Sequence, residues 1–206
     1  MTTVIRYYNN NNTPKHPSKC LKPAEAKSLH EAGLSIATVF EQRGGADKNI
    51  SDLSAANGAR DARRALELAQ NIGQPQKSAI YFAVDDDYVR NSDLDVIGSY
   101  FEKANEIISG AYEIGVYGSG TIGKSLIARG LVWHIWLAGA TGWSGTNEMI
   151  QSHTWALFQQ YLEKRSPFGG FDYDGNTANS AFGGNFGQFK LGGGPITPLN
   201  RQLRWS

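Results

Sequence analysis

Ala79-Ile80-Tyr81-Phe82-Ala83-Val84-Asp85-Asp86-Asp87 is the stretch on which the fold turns. Read with a period of two, Ile80, Phe82 and Val84 share one face, and Ala79, Tyr81, Ala83 and Asp85 share the other. The first face is apolar enough to lie against a helix. The second is small and then acidic at its C-terminal end. In α/β folds ligands bind at the carboxyl ends of parallel strands, so Asp85 stands where chemistry is usually done. An isolated acid there would read as a helix cap or a turn former. Other strands of this chain end in the same way, which turns the reading toward a site.

Outward from this stretch, strand and helix alternate. Strands are expected over 3–8, 34–41, 79–85, 113–117, 132–138 and 155–161, with a short one over 170–174; helices are expected over 23–32, 53–72, 93–109 and 121–128. Pro23 suits a first helical turn, Gly33 and Gly73 suit helix ends, and Ser92 suits an N-cap. Strands separated by amphipathic helices imply a parallel sheet. Residues 9–12 are a run of asparagines that reads as a polar loop. From 177 onward the chain is rich in Gly, Asn and Pro, with one apolar stretch at 186–191. It reads as an extended tail (177–206) behind a single domain (1–176).

The other strands repeat the two-faced pattern. Ile114 and Val116 oppose Gly115 and Tyr117; Trp133, Ile135 and Leu137 oppose His134, Trp136 and Ala138. In the first strand Val4, Arg6 and Tyr8 share one face, and Ile5 and Tyr7 the other. An apolar outer face and an inner face of small residues ending in a polar group are what a closed barrel requires. The expected fold is therefore a TIM-like (β/α) barrel, with Glu41, Asp85, Tyr117, Trp136, Gln160 and Asp172 converging on one rim.

Bulk properties narrow the function. The 206 residues suffice for one domain, and a formal charge of +1 with no basic stripe argues against a nucleic-acid partner. No apolar run is long enough to span a bilayer, and the N-terminus lacks a signal-peptide core. Cys20 is the single cysteine, and the four histidines show no metal-binding spacing, so no metal or other cofactor is expected. Oligomeric state is left open. Gly118-Ser119-Gly120-Thr121-Ile122-Gly123-Lys124-Ser125 matches the P-loop pattern in full and lies between a strand and a helix. It offers a nucleotide-binding reading, with Lys124 on phosphates and Ser125 on magnesium. Against that reading, the acid that would hold magnesium, Asp85, precedes the loop, and the other rim residues would have no role.

The ordered set Val4-Ile-Arg-Tyr-Tyr, Pro23-Ala-Glu-Ala with Glu31-Ala-Gly-Leu, Ile80-Tyr-Phe-Ala-Val-Asp, Gly115-Val-Tyr-Gly-Ser-Gly and Ile135-Trp-Leu-Ala resembles a bacterial glycoside-hydrolase-like domain related to the family 25 muramidases. The resemblance runs from about residue 3 to about residue 176 and implies a lysozyme-type β/α barrel acting on peptidoglycan. The family's fourth strand ends in Asp-x-Glu; here those positions are Ala83 and Asp85. Gln160-Tyr161 and Asp172-Tyr-Asp174 are similar to its later Gln-Tyr and Asp-x-Asn motifs, with Asp174 in place of Asn. Its first strand, Gly-(Phe/Ile)-Asp, has no counterpart unless Gly170-Phe-Asp172 takes that place. Either the barrel is incomplete, or the tail at 186–191 patches the gap beside the strand at 3–8.

These readings assign roles. Asp85 is the expected general acid, with Glu41 or Asp172 as second carboxylate, because glycoside hydrolysis needs two carboxyls flanking the bond. Tyr117 and Trp136 are placed to stack on sugar rings. Arg6 is placed to orient an acid or grip a substrate carboxylate, and Tyr8, Asp87, Gln160 and Asp174 complete the substrate-binding set. Asp86 should point outward and His134 should be a packed core residue. The function expected is a glycoside hydrolase-like protein acting on cell-wall peptidoglycan or a related glycan. The alternative is a non-catalytic, glycan-binding or degenerate barrel. Action at the cell envelope without a leader would need lysis, another export route, or excision from a longer chain.

Overall fold

The computed structural model describes residues 2–10, 19–166, 169–170 and 172–193. Seven strands form one curled half-barrel sheet in the order β1-β2-β3-β4-β5-β6-β7. They are β1 (Thr3–Tyr8), β2 (Ser35–Phe40), β3 (Ala79–Ala83), β4 (Glu113–Gly118), β5 (His134–Leu137), β6 (Leu157–Arg165) and β7 (Asp172–Ala178). The first six run parallel, and β7 turns back antiparallel on β6. The convex face is covered by α1 (Pro23–Glu31), α2 (Ala55–Ile72), α3 (Asn91–Ile108), α4 (Gly120–Ala128) and the short α5 (Thr146–Ser152). Among the described residues no helix is long and apolar enough to cross a membrane.

Local chemistry sets these elements. In α2 the Ser54 side chain accepts from the Asn57 N–H, and Gly73 ends the helix in the left-handed region at φ 73°. Ala62, Ala65 and Ala69 form a buried stripe that brings the helix close to the sheet. The alternation expected from sequence holds: Ile36, Phe40, Ile80, Phe82, Ile114 and Val116 belong to the core under the helices. Ala37, Val39, Ala79, Tyr81, Ala83 and Trp136 form a second, concave core.

The sheet departs from a complete barrel in two ways. First, β7 is antiparallel and, among the described residues, pairs with β6 alone. The free side of β1 is met by a short return of chain: the Tyr7 N–H donates to the Lys19 carbonyl at 3.1 Å and the Leu21 N–H to the Tyr7 carbonyl at 2.9 Å. Second, the tail stretch does not cover that side. It enters the slot between the N-terminal ends of β2 and β3, which pair only from Thr38 and Ile80 onward. There Ile36 and Phe189 exchange two backbone hydrogen bonds, at 2.7 and 2.8 Å, and the Ala79 N–H donates to the Gly187 carbonyl at 2.9 Å. A Cβ on Gly187 would lie 2.2 Å from that of Ala79, so only glycine fits the slot. Phe186 fills the concave core and Phe189 the convex one. The slot is what makes this site available: backbone groups there are unpaired by the sheet and need partners. Residues 194–206 of the expected tail, and 11–18 beyond the start of the asparagine run, lie outside the described residues.

Candidate active site

Glu41 follows directly on β2, and its N–H donates to the Tyr8 carbonyl at 3.0 Å, which fixes the end of the strand. The chain then folds back so that the Gly44 carbonyl accepts from the Asp85 N–H at 2.7 Å. Both carboxyls therefore come to one cleft of about 190 Å³ at the C-terminal ends of the strands. Asp174 of β7 joins them, and Tyr117 and Trp136 form one wall. Their rings meet edge to face with centroids 4.7 Å apart.

The far wall is a hydrogen-bonded relay. The Tyr117 hydroxyl donates to Gln159 Oε1 at 2.9 Å, and Gln159 Nε2 donates to Asp174 Oδ2 at 3.0 Å. Asp174 Oδ1 accepts from the Glu163 N–H at 2.9 Å. That backbone donor is available because β6 bulges between Gln159 and Lys164, with Glu163 at φ 50°. Trp136 Nε1 donates to Asn176 Oδ1 at 2.8 Å. The only cation lining the cleft among the described residues is Lys19, whose Nζ lies 4.9 Å from the centre of the Tyr7 ring.

Burial and like charge act together on the acids. Burial, and then the charge of Asp85, push Glu41 up to about 7, with Lys19 opposing. Asp85 is raised as well, by burial and by Asp86, again opposed by Lys19. Both acids are thus held above the ordinary carboxyl range, and the charge of Asp85 helps keep the proton on Glu41. Tyr7 and Tyr117 are held far above the usual phenol range, chiefly by burial, so both stay neutral hydroxyls.

Of the residues singled out from sequence, Glu41, Asp85, Tyr117, Trp136 and Asp174 meet in this cleft. Five others lie elsewhere. Tyr8 is buried on the convex side, its hydroxyl donating to Gln74 Oε1 at 2.8 Å. Arg6 is on that side too, with Nε 2.6 Å from Glu25 Oε1 of α1. The two faces of β1 both carry a tyrosine, and it is Tyr7 that faces the cleft. Gln160 points outward and accepts from Thr177 Oγ1 at 2.7 Å; Gln159 takes the inward position. Asp172 is exposed opposite Arg165 at the far end of the β6–β7 pair. Asp87 is a staple between loops, accepting from the Ser144 N–H and hydroxyl, both at 3.0 Å. Asp86 binds Lys48 Nζ at 2.6 Å. His134 is fully buried, with Nε2 2.5 Å from Glu113 Oε2. Lys19, Gln159 and Tyr7 went unnoticed in the sequence. Period-two phase counted from Ile5 and from Leu157 points to Tyr7 and Gln159; nothing local points to Lys19.

The P-loop match is already occupied by the protein itself. Gly120 N–H donates to Thr146 Oγ1 at 3.3 Å, Thr121 N–H to the Ser144 carbonyl at 2.9 Å, Ile122 N–H to Ser119 Oγ at 3.3 Å, and Gly123 N–H to the Ser119 carbonyl at 3.0 Å. A Cβ on Gly120 would stand 2.0 Å from the Gly145 carbonyl oxygen, so the loop is packed where a phosphate would sit. Lys124 Nζ turns to Glu148 Oε2 at 2.9 Å.

Comparison with known proteins agrees with this architecture. The chain is 29% identical to FadG of Bacillus subtilis (strain 168) over 147 residues, 69% of this chain and 25% of that protein. It is 31% identical to YbfG of the same organism over 176 residues, 78% of this chain and 23% of that protein. The chain thus spans about a quarter of the length of these curated relatives. Among solved structures, the Tat-secreted protein Rv2525c of Mycobacterium tuberculosis, in complex with L-tartrate, superposes with a TM-score of 0.75 at 25% identity, covering 89% of this chain and 86% of that one. The family model described as the Rv2525c-like, glycoside hydrolase-like domain matches residues 1–178, and the chain belongs to that family.

Proposed function

We propose that the chain hydrolyses a glycosidic bond in a cell-wall glycan, with peptidoglycan the first substrate to test. The observation that carries this reading is the pair Glu41 and Asp85: two half-buried carboxyls in one aromatic-walled cleft, the first raised to about 7 and the second raised as well. Sequence alone favoured Asp85 as proton donor. The electrostatics of the cleft favour Glu41 in that role, since it is the acid raised to about 7, by burial and by the charge of Asp85. Glu41 donates that proton to the leaving glycosidic oxygen as the C–O bond breaks. Asp85 either attacks the anomeric carbon or takes a proton from the water that does, according to the separation the substrate finds between the two acids. Asp174, held by two donors, is placed to accept from sugar hydroxyls, and Tyr117 and Trp136 to pack on a ring face.

A second reading, glycan binding without cleavage, draws on Ala83. Two residues before Asp85, where the muramidase-like pattern carries another acid, the chain has a buried alanine. Action outside the cytoplasm is part of the proposal, supported by the printed description of Rv2525c as Tat-secreted. The test is loss of turbidity and release of new reducing ends from purified peptidoglycan. Release that vanishes in Glu41→Gln and Asp85→Asn supports hydrolysis. Sedimentation of the protein with peptidoglycan, with no fragments released, selects the binding reading; absence of both release and sedimentation refutes both readings for peptidoglycan.

A further inference from the structure

Three carboxylates follow β3 in a row, and the cleft takes only the first, Asp85. The second, Asp86, closes instead on the neighbouring turn at 42–48, the one that follows Glu41. The two turns lie backbone to backbone. The Asp85 N–H donates to the Gly44 carbonyl at 2.7 Å, and the Tyr88 hydroxyl donates to the Gly45 carbonyl. A Cβ on Gly44 would stand 3.2 Å from both the Ala83 carbonyl oxygen and the Asp85 Cβ, so no side chain separates the turns.

The turn behind Glu41 is strained. Asp47 and Lys48 both take left-handed backbone, at φ 59° and 58°, which is unfavourable for residues with a Cβ. Such a conformation persists where its surroundings over-determine it. Asp86 does this for Lys48. Its Oδ2 accepts from the Lys48 N–H at 2.8 Å, and its Oδ1 lies 2.6 Å from Lys48 Nζ. Lys48 Nζ also donates to the Asp87 carbonyl at 2.6 Å. One carboxylate of the second turn thus grips main chain and side chain of one residue in the first. Asp86 Oδ1 accepts from the Asp87 N–H at 2.7 Å as well, and the Asp87 carboxylate is itself tied to Ser144. Burial pushes Asp86 up, but its bonds from Lys48 and from the Asp87 N–H outweigh this and hold it below the ordinary carboxylate range. The grip is therefore ionised wherever Glu41 titrates.

We propose that Asp86 is a positioning residue for the acid pair: through Lys48 it holds the turn behind Glu41 against the turn that carries Asp85, and so fixes how closely the two carboxyls face each other. The inference rests on the reading of Glu41 and Asp85 as the reacting pair and adds what sets their separation. Charge and geometry lead to opposite outcomes here. After burial, Glu41 is acted on by Asp85, which raises it, and by Lys19, which lowers it; Asp86 acts on Asp85. Loss of the Asp86 charge alone makes Asp85 easier to ionise and leaves Glu41 in place or raises it. Release of the turn lets Glu41 move toward water and away from Asp85, and its titration midpoint falls.

The test is a carboxyl-carbon NMR titration of the full chain, labelled in its Asp and Glu side chains, with circular dichroism as the folding control. In the parent Glu41 is expected to titrate near 7. In Asp86→Asn the midpoint should fall by about 1 pH unit, a tenfold loss of proton affinity. Lys48→Met keeps the Asp86 charge and loses the Nζ contacts; it should lower the midpoint too, where loss of a cation alone would raise it. Asp47→Asn removes a charge from the same turn at a side chain 91% exposed, and should leave the midpoint in place. A midpoint that stays or rises in Asp86→Asn or in Lys48→Met, or that falls as far in Asp47→Asn, overturns the positioning role while the cleft reading stands. If Asp86→Asn does not fold, Lys48→Met decides alone. A parent Glu41 that titrates near 4.5 overturns the acid pair and its staple together. The expected titrations in a parent that releases no fragments from peptidoglycan uphold the staple and overturn hydrolysis of that substrate.

Discussion

Glu41 and Glu113 lie on the concave side of the same sheet, one just past the end of its strand and one at the start of its strand, and their surroundings differ completely. Glu113 meets the imidazole of His134 at 2.5 Å, beneath Tyr81, in a mouth that Phe186 closes. Glu41 is also largely withdrawn from water, yet among the described residues it has no ion pair, and its nearest charged company includes another acid, Asp85. Burial with a basic partner makes an acid a structural part. Burial beside a like charge makes it a proton store. One sheet thus places the same residue type beside a base at its N-terminal mouth and beside another acid at its C-terminal rim.

This contrast is broken most directly by rate measurements. If the parent cleaves peptidoglycan, Glu41→Gln and Asp85→Asn should each lower turnover by about 100- to 10,000-fold while both variants stay folded, as read by circular dichroism. Glu113→Gln should leave turnover per folded molecule intact while costing about 2 kcal/mol in denaturant titration, because it weakens a buried hydrogen bond. A large rate loss in Glu113→Gln would erase the division between the two ends.

Next in size is the plug. Phe186→Ala should destabilise the protein by about 3–5 kcal/mol, as expected of a buried aromatic truncated to a cavity. Substitution at the exposed Lys190 should be close to neutral. A mild effect at Phe186 would mean that the mouth stays shut without it.

The pH dependence sharpens the other end. Glu41 rises from 4.5 to about 7 on folding, so the folded state holds its proton more tightly than the unfolded one. The stability it contributes is full below pH 4.5 and is lost as pH rises through 7. Glu41→Gln should therefore match the parent near pH 4 and exceed it at pH 8 by up to about 3 kcal/mol. Equal stability of the two proteins at both pH values would remove the proton store from the rim.

The smallest effect is expected at the P-loop match. Lys124 is an exposed partner of Glu148, so Lys124→Ala should change stability by less than about 1 kcal/mol. Calorimetry with ATP and magnesium should give no saturable heat in either protein.

Much of this was legible in the sequence because it is local. Strands of period two and helices with an apolar stripe announce themselves, and β1 to β5 and α1 to α4 lie close to where they were expected. The phases of Glu41, Asp85, Tyr117 and Trp136 followed from alternation alone. Alternation failed where its premises did. On β1 both faces carry aromatics, so phase could not choose Tyr7 over Tyr8. On β6 the rim position was given to Gln160, where Gln159 is the one that faces the cleft, and the bulge that follows re-aims the rest of the strand. Seven-residue α5 was too short to show a period. Lys19 owes its position to the backbone hydrogen bond its carbonyl accepts from Tyr7, and Phe186 to the Tyr81 hydroxyl 105 positions away, and no periodicity encodes either partner.

The tail wedge has a further consequence, for the order in which the molecule can be made. Tyr81 reaches its acceptor on Phe186 across 105 positions of chain, and the same stretch supplies the missing backbone partners of Ile36 and Ala79. Contacts so distant in sequence form late, because the loop between them must first be closed. A ribosome that has finished β3 has made a strand whose lower end has no partner on the side of β2, and that side stays open until Phe186 and Phe189 have left the tunnel. The nascent half-barrel therefore carries an unlatched floor until that stretch is made, and the aromatic wedge is the latch.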